Sequence, residues 1–237
     1  FVAANDGNIS VKIDEKTILI TPTGVSKGGM KPDDMIKMTL DGEILSNNGR
    51  PSSEVKMHIQ VYKSNPQVKS VVHAHPPIAT AFAVARVPME RPILAEAVVN
   101  LGIVPVAEFA MPGTQEVPDS IKPYVMDYNA VLLANHGLLT WGRDLTEAFF
   151  RMESVEHYGK ILLYVNQIGD PKEFNCTEIT QLIDIRKSIG VESGGVPGCK
   201  VEEPKKEVLK ETSSAVLDEG KLIEMITKEV MRQMKGR

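Results

Sequence analysis

The sequence predicts a mixed α/β domain, and three hydrophobic patterns support this prediction. Apolar and polar residues alternate over residues 9–13, as they do in half-buried strands, and residues 17–20 and 35–40 are also typical of strands. An apolar run leads into His73 and His75, and a second one, typical of a fully buried strand, ends at Ala134. From Leu145 to Val165, charged residues recur between apolar ones with the period of a helix. Strands and helices are therefore interspersed along the chain.

The first fifty residues are predicted to form a β-meander. The turn signal Asn5-Asp6-Gly7-Asn8 precedes the first strand, and Thr21-Pro22-Thr23-Gly24 follows the second. Before the turn at residues 5–8, the segment Phe1-Val2-Ala3-Ala4 is predicted to be the end of a helix whose beginning would precede Phe1. Turns of this kind leave backbone N–H groups free to bind a ligand.

Helices and buried strands then follow one another. Pro51-Ser52-Ser53-Glu54 opens a helix in which one serine is a candidate N-cap and Glu54 belongs to the first turn, and Asn65-Pro66 ends that helix. A helix N-terminus also attracts anions. The other predicted elements are a strand at 68–75, a helix at 78–87, a strand at 130–134, a turn at 135–137, the long helix from 145 and a helix at 178–188.

Composition excludes several classes of protein. The chain has 237 residues, 42% of them hydrophobic, and a net charge of −4, so no overall basic field attracts nucleic acid or an anionic membrane. No run of eighteen apolar residues and no secretory signal is present, so we expect a cytoplasmic protein. The two cysteines, Cys176 and Cys199, fit a reducing compartment and do not suggest a disulfide scaffold.

The C-terminal part of the chain changes in composition. We predict one domain over 1–189, a flexible linker over 190–216 that is rich in glycine, proline and charge, and a helix over 217–237. The apolar stripe of that helix consists of Leu222, Ile223, Ile226, Val230 and Met234. An isolated helix of this length is marginal in water, so it needs a partner surface or docks back on its own domain.

The strand that ends at residue 75 carries two histidines, His73 and His75, spaced two residues apart. On a strand this spacing places both imidazoles on one face, about 6.6 Å apart at the backbone, so that both can reach one metal ion. Catalytic zinc needs about three protein ligands and an open position. His136, in the turn after the buried strand 130–134, is the best third candidate, whereas His58 and His157 are more typical of structural or solvated histidines. A pair of ordinary buried histidines is the alternative.

Five motifs, in this order and spacing over roughly residues 1–168, resemble the class II aldolase and adducin head family. They are Gly7-Asn8-Ile9-Ser10, Thr21-Pro22-Thr23-Gly24, Pro51-Ser52-Ser53-Glu54, His73-Ala74-His75-Pro76 and Asn135-His136-Gly137. The resemblance implies a three-layer α/β/α fold with a central, mostly antiparallel sheet, and a homotetramer.

The resemblance also implies the residues of a zinc site and a phosphate site. His73, His75 and His136 would bind Zn²⁺, and Glu54 would complete the metal shell or transfer a proton. The phosphate of a sugar-phosphate substrate would be held by turns that contain Gly7, Asn8, Thr23, Gly24, Ser52 and Ser53. Backbone N–H groups, hydroxyls and a helix N-terminus are suitable donors for phosphate, although ordinary turn chemistry is the alternative for these residues.

The implied reaction is reversible cleavage of a ketose 1-phosphate, such as L-fuculose or L-rhamnulose 1-phosphate, to dihydroxyacetone phosphate and lactaldehyde. One residue departs from the pattern, because Phe109 stands where fuculose-phosphate aldolases supply a tyrosine, and phenylalanine cannot donate a proton. Glu108 or Tyr124 would have to replace it, or the substrate differs, or the alignment shifts by a residue. Another family reaction, such as pentulose-phosphate 4-epimerisation or decarboxylation, and a non-catalytic adducin-like scaffold remain alternatives.

The C-terminal helix at 217–237 has a separate resemblance. Its amphipathic sequence after a linker resembles the encapsulation peptides that recruit enzymes into bacterial microcompartments. That resemblance implies shell proteins as partners and a location inside such a compartment.

Overall fold

The computed structural model describes residues 3–199, and the predicted helix at 217–237 and most of the predicted linker lie outside this range. The strands of the described part are β1 (Asn8–Lys12), β2 (Thr17–Ile20), β3 (Ile36–Thr39), β4 (Ser70–Ala74), β5 (Val106–Ala107), β6 (Ala130–Leu133) and β7 (Gly137–Gly142). Its α-helices are α1 (Val55–Ser64), α2 (Pro77–Ala85), α3 (Ala95–Asn100), α4 (Glu116–Ile121), α5 (Leu145–Ile168) and α6 (Cys176–Ser188). Short 3₁₀ turns lie at Lys27–Gly29, Pro32–Asp34 and Lys122–Tyr124. No helix within residues 3–199 is both long and apolar enough to cross a membrane.

The strands form one sheet in the order β3-β2-β1-β4-β7-β6-β5. Every neighbouring pair is antiparallel except β5 and β6, which are parallel. This confirms the predicted mixed α/β fold with a mostly antiparallel central sheet. The predicted N-terminal meander is present as β1 to β3.

Helices cover both faces of the sheet, and adjacent residues of its central strands pack in two different hydrophobic clusters. Val71 of β4 packs in a cluster with Met57 and Val61 of α1, whereas the next residue, Val72, packs in a cluster with Met152 of α5. Side chains alternate between the two faces of a strand, so these two clusters lie on opposite sides of the sheet. The sheet is therefore the middle of three layers.

Four short or fully buried elements were not predicted from the sequence: α3, α4, β5 and β7. Strand β7 is buried at all six positions, so it shows no alternation of apolar and polar residues. Helices α3 and α4 have six residues each, which is less than two turns and too few to establish a helical period.

The two cysteines were not expected to pair, but Cys176 and Cys199 are joined by a disulfide across 23 positions of sequence. The chain after α6 turns back on the domain instead of leaving it. The N–H groups of Gly194 and Gly195 donate to the main-chain oxygen of Asp127. Residues 190–199, which the sequence places at the start of the linker, are therefore fastened to the domain, and this brings Cys199 to the start of α6.

Candidate metal centre

The predicted ligands come from two neighbouring strands. His73 lies on β4 opposite Leu139 of β7, and His75 follows one residue after the end of β4. His136 lies in the tight turn between β6 and β7, where Asn135 adopts φ of 56°, a left-handed conformation that asparagine tolerates well. A Cβ at Gly137 would lie 2.6 Å from the His75 ring, so glycine is required at this position. The β4–β7 pairing thus places His136 beside the two histidines of β4.

The three imidazoles converge on one point. Their ligand atoms lie within 4.8 Å of one another, and Nε2 of His73 is 3.1 Å from Nε2 of His75. Ligands of tetrahedral zinc at about 2.0–2.1 Å are separated by about 3.3 Å, so this spacing suits an ion between the rings. The nitrogen donors also match the ligand preference of zinc. The arrangement therefore fits the metal that the sequence predicts.

The surroundings of His73 leave its Nε2 free to bind a metal. Its Nδ1 lies 3.0 Å from the carbonyl oxygen of Leu138, and a carbonyl can only accept, so Nδ1 carries the proton. Nε2 then presents its lone pair to the other histidines. Burial lowers the pKa of His73 to about 4, which keeps the ring neutral at physiological pH. Burial also lowers the pKa of half-buried His75, whose Nδ1 lies 3.6 Å from a carboxylate oxygen of Asp6.

Glu54 lies against the same group. One carboxylate oxygen is 3.1 Å from Nε2 of His136, and the other is 3.4 Å from Nε2 of His73. Burial alone would raise the pKa of Glu54, but the hydrogen bonds from His136 and Asn8 and the charge interaction with His73 outweigh it and hold the pKa well below its usual value. Glu54 is therefore a carboxylate beside the histidines, placed either to bind the metal or to accept a proton.

The start of α1 differs slightly from the prediction. Glu54, and not a serine, is the residue immediately before the helix, and its backbone N–H donates to Oγ of Ser52 at 3.3 Å. Because Glu54 precedes the first helical turn, its side chain can point toward the histidines instead of lying along the helix. The serine turn thus serves to orient the carboxylate.

The predicted phosphate turns line one cavity with the candidate metal ligands. This cavity of about 370 Å³ is bordered by Gly7, Asn8, Thr23, Gly24, Ser52, Ser53, Glu54, His75 and His136. Three separate turns, at residues 5–8, 22–24 and 51–54, are thus brought to one place. His73 is buried directly beneath, next to Glu54 and His75.

Lys27 lines the same cavity, and sequence reasoning missed it. It begins a 3₁₀ turn shortly after Gly24, and its Nζ donates to the main-chain oxygen of Asn5. Partial burial lowers the pKa of Lys27, while the charges of Asp6 and Glu54 act in the opposite direction. The only available signal was a basic residue three positions after the Thr23-Gly24 turn. Lys27 therefore joins two turns of the cavity and brings a positive charge to it.

The two remaining histidines lie outside the ligand group. His58 is fully buried on α1 and hydrogen-bonded through both ring nitrogens, to Ser10 and to Asn8. Burial lowers the pKa of His58 to about 3. His157 is exposed on α5, as predicted for a solvated residue.

Phe109 and the candidate proton donors Glu108 and Tyr124 do not line the cavity of this chain. Phe109 is 49% exposed just after β5, and its neighbour Glu108 is exposed. The hydroxyl of Tyr124 donates to the main-chain oxygen of Val106 at 3.3 Å. The described part of the chain thus provides Glu54 near the histidines, but neither Glu108 nor Tyr124 beside it.

The fold and the site define a sheet domain with a candidate three-histidine metal centre at one end of its central strands. The chain belongs to the class II aldolase and adducin family, because the family described as "Class II Aldolase and Adducin N-terminal domain" matches residues 1–163. The predicted family is therefore confirmed.

Relatives in this family carry the names of different enzymes. The chain is 34% identical over 166 residues to a 3-oxo-tetronate 4-phosphate decarboxylase of Escherichia coli O6:H1, a match that covers 68% of this chain and 78% of the relative. It is 29% identical to an L-fuculose phosphate aldolase of Methanococcus maripaludis, over 72% of this chain and 91% of that one. A solved L-fuculose 1-phosphate aldolase superposes with a TM-score of 0.72 at 31% identity, covering 78% of this chain and 87% of the other.

Proposed function

We propose that the chain is a zinc-dependent aldolase that cleaves a deoxy-ketose 1-phosphate, L-fuculose or L-rhamnulose 1-phosphate, to dihydroxyacetone phosphate and lactaldehyde. The observation that carries this proposal is the position of Glu54. Its carboxylate lies 3.1 Å from His136 at the border of a cavity that is also lined by three turns and by Lys27. A base beside a metal centre and an anion-binding wall is the arrangement that proton removal next to a phosphorylated ketone requires.

Each part of the cavity has a distinct role in this reaction. His73, His75 and His136 would hold the zinc, which supplies Lewis-acid polarisation of the substrate ketone. In the direction of condensation, Glu54 accepts the proton from the hydroxymethyl carbon of dihydroxyacetone phosphate, and in cleavage it returns that proton. The turns with Asn8, Thr23, Gly24, Ser52 and Ser53 hold the phosphate through N–H groups and hydroxyls, with Gly7 allowing close backbone approach.

Decarboxylation of a 3-oxo-tetronate 4-phosphate is the second candidate. Loss of CO₂ from carbon 1 leaves negative charge on the carbon next to the ketone, and protonation there also yields dihydroxyacetone phosphate. Phe109 favours this candidate, because the release of CO₂ needs no tyrosine to exchange a proton with an aldehyde oxygen. The 34% identity to a relative with this name supports it as well.

One set of assays separates these reactions. The zinc-loaded protein is incubated with L-fuculose 1-phosphate, L-rhamnulose 1-phosphate and 3-oxo-tetronate 4-phosphate, and dihydroxyacetone phosphate, lactaldehyde and CO₂ are measured. The aldolase proposal expects lactaldehyde and dihydroxyacetone phosphate in equal amounts from one of the first two. Release of CO₂ only, from the third substrate, would replace it with the decarboxylase. A protein that holds stoichiometric zinc and releases nothing from any of them would contradict both and direct attention to an epimerase.

The substitution Glu54→Gln tests the role of the carboxylate. It preserves the shape of the side chain but removes its basicity, so we expect turnover to fall by roughly 10²–10⁴-fold. Zinc content, measured by mass spectrometry of the metal, distinguishes a lost base from a lost metal. A Glu54→Gln protein that retains zinc and full turnover would contradict the assigned role. Substoichiometric zinc in the unaltered protein after gentle purification would instead favour a non-catalytic, adducin-like scaffold.

We also propose a homotetramer and a targeting role for residues 217–237, which lie outside the described residues. Exposed apolar side chains such as Phe149 and Phe150 on α5 are suitable for a subunit contact. Analytical ultracentrifugation tests the tetramer, and a monomer at cellular concentration would contradict it.

Deletion of 217–237 should leave turnover unchanged and abolish co-localisation with microcompartment shell proteins in cells. Unchanged localisation would refute the targeting role.

A further inference from the structure

A buried chain of hydrogen bonds runs from Glu54 into the core. Nδ2 of Asn8 donates to Oε2 of Glu54 at 2.7 Å, and Oδ1 of Asn8 lies 2.6 Å from Nε2 of His58. Nδ1 of His58 lies 2.7 Å from Oγ of Ser10, which in turn lies 2.7 Å from the hydroxyl of Tyr62. Asn8, Ser10, His58 and Tyr62 are each at most 3% exposed. The chain thus connects the Glu54 carboxylate, through Asn8 at the border of the cavity, with Ser10, His58 and Tyr62, which do not line the cavity.

The chemistry of the donors gives this chain a single direction. Because an ionised carboxylate only accepts, Asn8 must turn its amide NH₂ toward Glu54 and its oxygen toward His58. That oxygen also only accepts, so Nε2 of His58 carries the proton. In a neutral imidazole Nδ1 then accepts, and Ser10 donates to it. The hydroxyl of Tyr62 completes the chain by donating to Ser10.

We infer that His58 is a positioning residue for proton transfer by Glu54, acting through the amide of Asn8. If the Asn8 amide were reversed, two acceptor oxygens would face each other at Oε2. The proton on Nε2 of His58 opposes this reversal, because it needs an oxygen as partner. Oε2 of Glu54 is therefore held by Asn8, while Oε1, the atom nearer to His136, remains directed at the metal centre. This inference rests on the proposed role of Glu54 as the proton-transfer residue.

Packing alone does not require a histidine at this position. His58 lies on α1 between Met57 and Val61, which are both buried in the core. Placing an imidazole there costs free energy of desolvation that only hydrogen bonds offset, whereas apolar replacement of a whole buried hydrogen-bonded group is often nearly neutral for stability. We therefore attribute to His58 a role in orienting Asn8 and Glu54.

The test compares His58→Leu and His58→Gln with Val61→Ala as control. Val61 lies on the same helix, is fully buried and takes no part in the chain of hydrogen bonds. The measured quantity is the rate at which the hydroxymethyl proton of dihydroxyacetone phosphate exchanges with deuterium in D₂O, which needs Glu54 and zinc but no aldehyde. The half-saturating concentration of dihydroxyacetone phosphate, zinc content and melting temperature are recorded for each protein.

We expect His58→Leu to lower the maximal exchange rate by about 10–100-fold, as changes to groups behind a metal site do, with little change in half-saturation. His58→Gln should restore most of the rate, because its amide NH₂ can still donate to Asn8. Val61→Ala should lower the melting temperature without lowering the exchange rate. Exchange at the unaltered rate in a folded His58→Leu protein would overturn the inference, as would equal losses in His58→Gln and His58→Leu.

A second measurement does not depend on turnover. In ¹⁵N-histidine-labelled protein, NMR should find the proton of His58 on Nε2, the opposite of metal-free His73, whose proton is on Nδ1. A proton on Nδ1 of His58 would overturn the inference whatever the activity. If the unaltered protein does not exchange dihydroxyacetone phosphate at all, the proposed function fails, and the His58 tautomer still decides whether Asn8 is oriented as described.

Discussion

Two regions of this domain bury charged side chains, and they do so in opposite ways. At the candidate metal centre, Nε2 of His73 directs its lone pair toward Nε2 of His75 and toward a carboxylate oxygen of Glu54. Near the end of α6, Arg186 is 3% exposed and directs its N–H groups at main-chain oxygens. Nε of Arg186 donates to Val98 at 3.0 Å, and Nη1 donates to Gly195 at 2.6 Å.

The difference between these regions is whether the protein alone satisfies its buried polar groups. Around Arg186, each of the three guanidinium nitrogens donates to a main-chain oxygen, and the side chain of Asn129 likewise donates to Leu101 and accepts from Ser193. Around His73, by contrast, the lone pair of Nε2 faces a carboxylate oxygen of Glu54 at 3.4 Å, and a cation between these two acceptors would satisfy both. We therefore expect the Arg186 region to contribute to the stability of the fold and the histidine region to contribute to metal binding. The two regions should accordingly respond differently to mutation.

The largest effect is expected from removing a ligand. His136→Ala should lower turnover by roughly a thousandfold or more, because Lewis-acid stabilisation contributes several kcal/mol and each 1.36 kcal/mol is tenfold. The zinc content should fall, while the metal-free stability changes little, since His136 is only partly buried. Turnover assays and metal analysis check this. A large loss of stability in the metal-free His136→Ala protein would remove the distinction between the regions.

Loss of the disulfide is expected to affect stability alone. Cys176→Ser opens a loop that spans 23 positions of sequence, so the free energy of unfolding should fall by about 3 kcal/mol. Urea denaturation of the unaltered protein, with and without a reducing agent, provides the matched control. Turnover per folded molecule should be unchanged. A drop in turnover at full folding would mean that the segment at 190–199 communicates with the cavity.

A similar but smaller effect is expected from Arg186→Leu. This substitution leaves the buried main-chain oxygen of Val98 and the partly buried one of Gly195 without their donor, which costs about 2 kcal/mol. Because Arg186, Val98 and Gly195 do not line the cavity at the candidate metal centre, we expect zinc content and turnover at low temperature to match the unaltered protein. Denaturant unfolding measures the stability change. Lost zinc binding in this variant would show that the two regions are not independent.

The smallest effect, about 1.4 kcal/mol for each pH unit, concerns His73 in the metal-free protein. Its pKa in the folded state, about 4, is below the value of 6.5 expected when it is exposed. Between these values the unfolded chain binds the additional proton, so stability should fall as pH falls from about 6.5 to about 4. Urea unfolding of chelator-treated protein at pH 6 and pH 5 measures the total slope, to which His58, with its pKa of about 3, also contributes, so the contribution of His73 is the difference from a His73→Asn protein. Arg186→Leu should lower the free energy of unfolding equally at pH 6 and pH 5, whereas a His73→Asn protein should show a shallower dependence on pH.

Much of the site could be predicted from the sequence because its signals are local. Two histidines at alternate positions of an apolar run share one face of a strand, and β4 confirms the strand. The candidate phosphate-binding residues belong to turns that can be predicted from their glycines and prolines. Strand β7, by contrast, is buried throughout and has no alternation to detect, although it is the strand that brings His136 to His73.

Other features depended on contacts between distant parts of the chain. Lys27 became part of the cavity only because it reaches Asn5 across 22 positions of sequence. His58 looked like an ordinary structural histidine until β1 placed Asn8 and Ser10 on either side of its ring. The disulfide formed because the segment after α6 folds back onto Asp127. A pattern within one element contains no information about such approaches.

The sequence by itself therefore determined the family, the mixed α/β class and the three candidate metal ligands, because each follows from residue types at short, regular spacing. The tertiary structure alone decided which groups surround these ligands: Lys27 at the cavity, the Asn8 amide on Glu54, and the closed loop between Cys176 and Cys199. The physical reason is that hydrogen bonds and burial act over a few ångströms in space, whatever the separation along the chain.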